Sequence, residues 1–241
     1  MQLKLSQVCL PVAALMVSAT ANAQIALQNA TATFSQTFDR GWLAREMIDG
    51  DTTVRNGWAI FRNIGANSTQ PETAAFETVN DLTAAGLTIS MAHNYSSNPG
   101  HLVGRFRWSY TTDSRNDFAD GLQTGGDVTA NWTVLTPTSV QTTAGLTSTV
   151  LGDGSVLMAY TGGVLPTAAY DLTFNTAVSG VTGLRLEVMA DPSLPTGGPG
   201  MQSSNGNFVL TEVSVQAVPE PATLITLGVA AAGLIRRRFT K

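Results

Sequence analysis

The sequence predicts an all-β fold, either a sandwich or a barrel, for the central part of this 241-residue chain. Many short runs alternate apolar and polar residues with a period of two, and Gly, Pro, Asn or Asp separates one run from the next. No long helical period occurs between the two termini. Hydrophobic residues make up 43% of the chain, which is enough for a buried core and excludes a wholly disordered protein. The length fits a single all-β domain.

The clearest strand pattern covers residues 105–110. Phe106, Trp108 and Tyr110 fall on one face, and polar residues fall on the other. Residues 116–131 and 191–207 are predicted to be loops. The predicted strands are 30–38, 57–61, 87–92, 105–110, 132–135, 155–160, 170–174, 183–189 and 208–215.

Composition excludes several classes of protein. The only cysteine is Cys9, so neither a disulfide scaffold nor a cysteine-ligated zinc site is expected. Residues 24–217 contain eight basic and sixteen acidic residues, a net charge of −8. This acidic balance argues against nucleic acid as a partner and is compatible with divalent cations.

The first 23 residues have the pattern of a secretory signal peptide. Lys4 supplies a short positive region, an apolar stretch covers residues 8–17, and Ala21-Asn22-Ala23 forms an A-x-A cleavage site. Cleavage is expected between Ala23 and Gln24. The alternative is an N-terminal core helix.

The C-terminal segment, residues 218–241, combines three features. Val218, Pro219, Glu220 and Pro221 precede an uncharged stretch at 222–235, and Arg236, Arg237 and Arg238 follow it. A bilayer-spanning helix needs about 20 residues, so this stretch predicts a short hydrophobic helix. The basic cluster is expected to stay on the cytoplasmic side. An ordinary tail anchor is the alternative.

This C-terminal arrangement resembles the PEP-CTERM sorting signal of Gram-negative bacteria. The resemblance implies recognition by an exosortase, a membrane transpeptidase, with the helix in the membrane before processing. It also implies export across the inner membrane and residence in the cell envelope, at the surface or in the extracellular matrix. Exopolysaccharide is the partner that the resemblance implies there.

Three phrases in the central part resemble the galactose-binding-like domains of discoidin and coagulation-factor type C modules. They are residues 46–51 followed by Trp58, residues 104–113 followed by Trp132, and residues 205–213. The resemblance implies a jelly-roll β-sandwich over residues 24–217. It places the first phrase between the first two core strands, the second in a central strand and the third at the last strand.

A structural calcium ion is the sharpest prediction for a site. Asp49 and Asp51 flank Gly50, which lets both carboxylates turn toward one ion, and Ca²⁺ prefers oxygen ligands. The family resemblance adds the Glu46 carbonyl, the Thr211 carbonyl and the Glu212 side chain. The alternatives are that Asp49-Gly50-Asp51 is only a turn and that an arginine such as Arg185 pairs with Glu212.

A sugar-binding surface is predicted on loops at one end of the sandwich, where aromatic rings and polar side chains would meet a ligand. Trp58, Trp108 and Trp132 are expected in the core, whereas polar neighbours favour a more open position for Trp42. The candidate ligand-binding residues are Trp42, His93, Asn94, Tyr95, His101 and Arg105.

These features together predict a non-catalytic carbohydrate-binding module that binds exopolysaccharide. The alternative is a structural or adhesive matrix protein that contacts other proteins and has no sugar pocket. An enzyme is not expected, because Ser155 lacks a Gly-x-Ser-x-Gly context and no spacing identifies a catalytic carboxylate pair.

Overall fold

The computed structural model describes residues 23–53, 55–64, 68–143 and 145–218. The described residues form two antiparallel sheets packed face to face, so the predicted all-β sandwich is confirmed. The predicted signal peptide, apart from Ala23, and the sorting segment from Pro219 onward lie outside the described residues.

One sheet has five strands and carries the last strand of the domain. Its order across the sheet is β1, β12, β4, β10 and β7. The strands are β1 (Ala23–Ile25), β12 (Glu212–Val218), β4 (Gly86–His93), β10 (Ala168–Phe174) and β7 (Ser139–Thr142).

The other sheet has seven strands. Its main order is β2, β3, β11, β5, β9 and β8, and β6 pairs with β5 beside this path. The strands are β2 (Leu27–Ala32), β3 (Glu72–Ala84), β11 (Val178–Val188), β5 (Arg105–Thr111), β9 (Val156–Tyr160), β8 (Leu146–Val150) and β6 (Thr133–Leu135). Short 3-10 turns occupy Ala44–Met47, Arg115–Asp117 and Pro195–Gly197.

The core lies between the two sheets because each strand alternates its side chains between the two faces. Leu87, Ile89 and Met91 point inward from β4 and are fully buried. Across the gap, the Phe106 ring stacks on Tyr170 at a centroid distance of 5.9 Å. This contact joins β5 in one sheet to β10 in the other.

The predicted pattern of β5 is confirmed: Phe106 and Trp108 are buried, and Arg105 and Arg107 lie on the outer face. Residues 116–131 and 191–207 contain no strand, as predicted. The prediction of a strand at 57–61 is wrong, because Trp58 makes only an isolated bridge to Leu210. No predicted strand covers β1, β3, β7 or β8.

The miss at β3 has a physical cause in two buried acidic residues. Glu77 is 4% exposed and accepts hydrogen bonds from the Gln28 and Asn29 side-chain amides at 2.7 and 2.9 Å. Glu72 is buried against Arg62 and accepts a hydrogen bond from the Thr33 hydroxyl. Partners from other segments satisfy both carboxylates. Glu72 has the inward parity of Phe76, where a period-two pattern requires an apolar residue, and Glu77 is buried on the opposite face, so neither face of β3 alternates cleanly.

None of the helices within the described residues is both long and apolar enough to span a membrane.

Gly57 lies so close to the segment before β12 that a larger residue there should lower the stability of the domain. Gly57 has a φ of +127°, and a Cβ there would collide with the Leu210 carbonyl and lie 2.7 Å from the Thr211 Cα. Gly57→Ala should therefore destabilise the domain by about 3 kcal/mol or more in urea unfolding. Gly121→Ala is the control, because Gly121 has a φ of +80° but open space around it, and should cost only about 1 kcal/mol. Equal losses in the two variants would contradict the close approach.

Candidate functional site

The loops at one end of the sandwich bring together most of the predicted site residues. We call this region the loop end; it comprises the described residues of segments 33–71, 94–104 and 199–211. These segments precede β3, follow β4 and precede β12. The loop end contains two features, an acidic turn and a small pocket.

The acidic turn is built on residues 49–51 directly after the 3-10 turn Ala44–Met47. The Asp49 carboxylate accepts the Asp51 N–H at 2.8 Å, and the Asp51 carboxylate accepts the Thr53 N–H at 2.9 Å. Gly50, with a φ of +80°, donates its N–H to the Glu212 carboxylate at 3.1 Å. The turn is therefore held against the first residue of β12.

Asn56 lies at the centre of the oxygens in this turn. Its side-chain amide nitrogen is 2.9 and 3.0 Å from the two Asp49 carboxylate oxygens. The same nitrogen is 3.2 Å from the Glu46 carbonyl and 2.9 Å from the Asp51 carbonyl. Four oxygens thus surround one polar point, although an amide nitrogen has only two hydrogens to share among them.

Burial raises the pKa of Glu212 to about 7, and the Asp49 and Asp51 charges act in the same direction. Burial also raises the pKa of Glu46, whose carboxylate pairs with Arg40 at 3.0 Å. The acidic turn is therefore a place where negative charge is costly and a cation would be favourable.

The structure places the remaining predicted calcium ligands as follows. The Thr211 carbonyl, which directly precedes Glu212, stays a predicted ligand; the Thr211 hydroxyl donates to the Ala92 carbonyl at 2.7 Å and accepts the Asn94 N–H at 3.2 Å. Arg185 pairs with Glu187 at 3.1 Å in β11, on the other sheet, so it is not the partner of Glu212. Among the described residues, no group of three or more His, Cys, Asp or Glu side chains is arranged to hold a metal.

A pocket of about 130 Å³ forms the second feature of the loop end. It mixes aromatic walls with side-chain amides, an imidazole and a carboxylate. Its lining residues are Gln36, Asp39, Trp42, Ala59, Phe61, Tyr95, Asn98, His101, Asn205, Asn207 and Val209.

Three rings in the pocket wall pack edge to face. Trp42 lies 5.1 Å from Tyr95, and Tyr95 lies 5.2 Å from His101, measured between ring centroids. The Arg40 guanidinium sits over the other side of the Trp42 ring at 4.8 Å. These contacts hold the aromatic wall in one arrangement.

Two polar groups of the pocket are held in position by the backbone. The Asn207 side-chain oxygen accepts the Ile60 N–H at 3.1 Å. The His101 Nδ1 lies 2.9 Å from the Asn98 carbonyl, and burial lowers the His101 pKa. His101 is therefore neutral near pH 7 and donates through Nδ1, which leaves Nε2 as an acceptor.

Of the predicted ligand-binding residues, Trp42, Tyr95 and His101 line the pocket. Trp42 is only 3% exposed, so the expectation of an open position is wrong; it forms a wall and not a projecting ring. Trp58 and Trp108 are buried as expected, while Trp132 is half-buried in a small outer cluster with Phe118.

The other three predicted ligand-binding residues lie outside this pocket. His93 is 1% exposed and lies against Tyr170 in the core at 4.6 Å between centroids. Arg105 forms ion pairs with Asp153 and Asp191. Asn94 donates its side-chain amide to the Thr52 carbonyl at 3.1 Å, which places it beside the acidic turn.

Sequence reasoning missed four polar residues of the pocket: Gln36, Asp39, Asn98 and Asn205. It also missed Asn207, although the Asn205-Gly206-Asn207 triplet gave a usable signal because it ends the predicted 191–207 loop directly before the last strand. Gln36 and Asp39 come from one loop and Asn98 from another, and nothing in their spacing indicates a common site.

Comparison with known proteins gives a match at the C-terminus. Residues 217–238 match the family described as the PEP-CTERM protein-sorting motif. This match confirms the predicted resemblance and indicates a protein sorted to the cell envelope or surface. A search of curated proteins found no match.

Among solved structures, the chain is similar to several sandwich domains at low sequence identity. The family 32 carbohydrate-binding module of Clostridium perfringens NanJ, in complex with galactose, is 12% identical; the similarity covers 81% of this chain and 99% of that one, with a TM-score of 0.43. Streptococcus pneumoniae β-galactosidase BgaA is 13% identical, with coverages of 82% and 99% and a TM-score of 0.49. An F5/8 type C domain from Bacteroides fragilis is 9% identical, with coverages of 83% and 98% and a TM-score of 0.45.

Burial of His93 predicts a pH-dependent stability. Burial lowers its pKa from 6.5 to about 3, so below pH 6.5 protons bind the unfolded chain and not the native one, and stability falls. At pH 5.5 this loss amounts to about 1.4 kcal/mol relative to high pH. His93→Gln, which keeps an acceptor for the Val103 N–H, should remove this loss in urea unfolding at pH 7.5 and 5.5.

The comparison must be between the wild type and the variant, because other groups titrate over the same range. The raised pKa of Glu212 acts in the opposite direction, and the lowered pKa of His101 adds to the effect. Glu212 and His101 are present in the wild type and in the variant, so the difference between the two pH profiles of stability reports on His93 alone. Parallel pH profiles would show that His93 is accessible to protons in the native state.

Proposed function

We propose that this chain is an exported surface or matrix protein whose sandwich domain binds carbohydrate without transforming it. The observation that carries the proposal is the loop-end pocket, which combines an aromatic wall with side-chain amides, an imidazole and the Asp39 carboxylate. Tyr95 and Trp42 supply the wall, and Asn98, His101 and Asn205 supply polar groups. Sugars present hydroxyl groups and apolar C–H faces together, and such a lining is complementary to both.

The C-terminal motif supports the cellular part of the proposal. The PEP-CTERM match at 217–238 supports processing by an exosortase, which we place in the cell envelope of a Gram-negative bacterium. Exopolysaccharide at the cell surface is then the ligand that the protein would meet after export. The net charge of −8 over residues 24–217 favours a neutral glycan over a polyanionic one.

Calcium at the acidic turn belongs to the proposal as a structural ion. The Glu46 and Asp51 carbonyls and the Asp49 carboxylate already surround one point, and Glu212 lies beside the turn. Oxygen donors of this kind are the ligands that Ca²⁺ prefers. Binding would require the Asn56 side chain to turn its amide nitrogen away. A bound ion would neutralise the turn and fix the start of β12.

Glycan binding is tested with two exposed pocket residues, Asp39 and Asn98. Asp39→Ala and Asn98→Ala should each weaken binding to the producing organism's exopolysaccharide by about tenfold, because each removes polar contacts to hydroxyl groups. Isothermal titration calorimetry with purified polysaccharide measures the effect.

Asn175→Ala is the matched control for the glycan experiment, because Asn175 is exposed beside Gly86 at the opposite end of the sheet, and it should bind like the wild type. Absence of binding to this polysaccharide and to a broad glycan array would favour the alternative, a structural or adhesive matrix protein. Reducing ends released during incubation would indicate an enzyme.

The calcium proposal predicts stabilisation by the ion. At a hundredfold excess over its dissociation constant, Ca²⁺ should add about 2.7 kcal/mol, or roughly 5–10 °C in Tm for a domain of this size. Asp49→Asn should abolish this shift, whereas Asp117→Asn, an exposed carboxylate outside the turn, should leave it intact. An unchanged Tm in EDTA and in calcium would remove the ion from the proposal.

A further inference from the structure

Two phenylalanines at the rim of the pocket have no role in the core. Phe38 is 41% exposed, and Phe61 is half-buried beside it, with 6.0 Å between the ring centroids. Phe61 also lines the pocket, as does Asp39, the neighbour of Phe38. The exposed pair is therefore continuous with the pocket. We call Phe38 and Phe61 the aromatic ledge.

Backbone hydrogen bonds hold the ledge in place. The Trp42 N–H donates to the Gln36 carbonyl at 2.7 Å and closes the loop that carries Phe38. Ala59 joins this loop from the other side, because it accepts the Gln36 N–H at 2.8 Å and donates to the Trp42 carbonyl at 3.3 Å. The two rings are thus presented on tied segments, which lowers the entropy cost of binding a ligand there.

The size of the pocket limits how much of a glycan it can hold, and the rest of a bound chain must lie on the aromatic ledge. At about 130 Å³, the pocket is smaller than the roughly 300–1,000 Å³ of sites that enclose a drug-sized ligand. It offers room for part of a glycan and not for a chain of several sugars. The rest of a bound chain must lie across the rim, where the aromatic ledge offers an apolar surface.

The geometry points to a second sugar subsite at Phe38 and Phe61. The two rings stack on the sugar unit next to the one held in the pocket. The domain therefore binds glycan chains in preference to single sugars. This inference rests on the proposed function. An anionic membrane is a poorer fit to the ledge, because residues 24–217 are strongly acidic and the two nearest cations in sequence, Arg62 and Arg40, pair with Glu72 and Glu46.

The test compares sugar fractions of different length. The probes are the monosaccharide and the tri- to pentasaccharide fractions of an acid hydrolysate of the producing organism's exopolysaccharide, titrated by calorimetry. The wild type should bind the oligosaccharides at least tenfold more tightly than the monosaccharides. Phe38→Ala should lose roughly fivefold of the oligosaccharide affinity and keep its monosaccharide affinity.

Val79→Ala is the matched control, because Val79 is 44% exposed in β3, beside the start of β2, and should bind like the wild type. Equal affinity for both fractions, or an unchanged Phe38→Ala, would overturn the subsite and leave the proposed function standing. If no fraction binds, the proposed function fails with it. Loss of binding to phosphatidylserine vesicles in Phe38→Ala would instead identify the ledge as a membrane contact and overturn the subsite.

Discussion

The backbone bridge between Trp58 and Leu210 is the constraint on which the loop end depends. Each residue donates its N–H to the carbonyl of the other at 2.9 Å. The bridge joins the long connection between β2 and β3 to the segment that leads into β12, and Gly57 permits the close contact. The acidic turn contacts Glu212, two residues after Leu210, and the pocket is lined by Val209, the residue before it. Both features therefore depend on the segment that this bridge holds in place.

Charged side chains are arranged differently on the outer face of the seven-stranded sheet and at the acidic turn. On the outer face of the seven-stranded sheet, Glu187 lies between Arg107 at 2.8 Å and Arg185 at 3.1 Å, and the hydrogen bond to Glu187 raises the Arg107 pKa. One carboxylate thus pairs with two guanidinium groups, and burial together with the Arg107 charge lowers the Arg185 pKa. At the acidic turn, burial and neighbouring carboxylates instead raise the pKa of Glu212. A cation bound at the turn, as proposed, would offset this cost.

Local patterns predicted much of the strand framework and little of the pocket. The period of two along β5 was sufficient to predict that strand, whereas β3 was missed because the buried residues Glu72 and Glu77 interrupt the alternation on its two faces. The same period places His93 on the inward face of β4 with Met91, two residues earlier. The position of His93 in the core is therefore predictable from the sequence. Asp49 and Asp51 form a local turn, which spacing reveals. The pocket joins Gln36, Asn98 and Asn207, and only the folded chain brings such distant residues together.

The last strand links the loop end to the place where the domain begins and ends. β12 starts at Glu212 and runs about 20 Å to Val218, the first residue of the predicted sorting segment. At that far end Ala23, the residue before the expected cleavage site, pairs with Ala217. β12 pairs with β4 along its whole length and with β1 over residues 215–217, so it is held firmly in the sheet. The loop end and the first and last described residues of the domain therefore lie at opposite ends of β12.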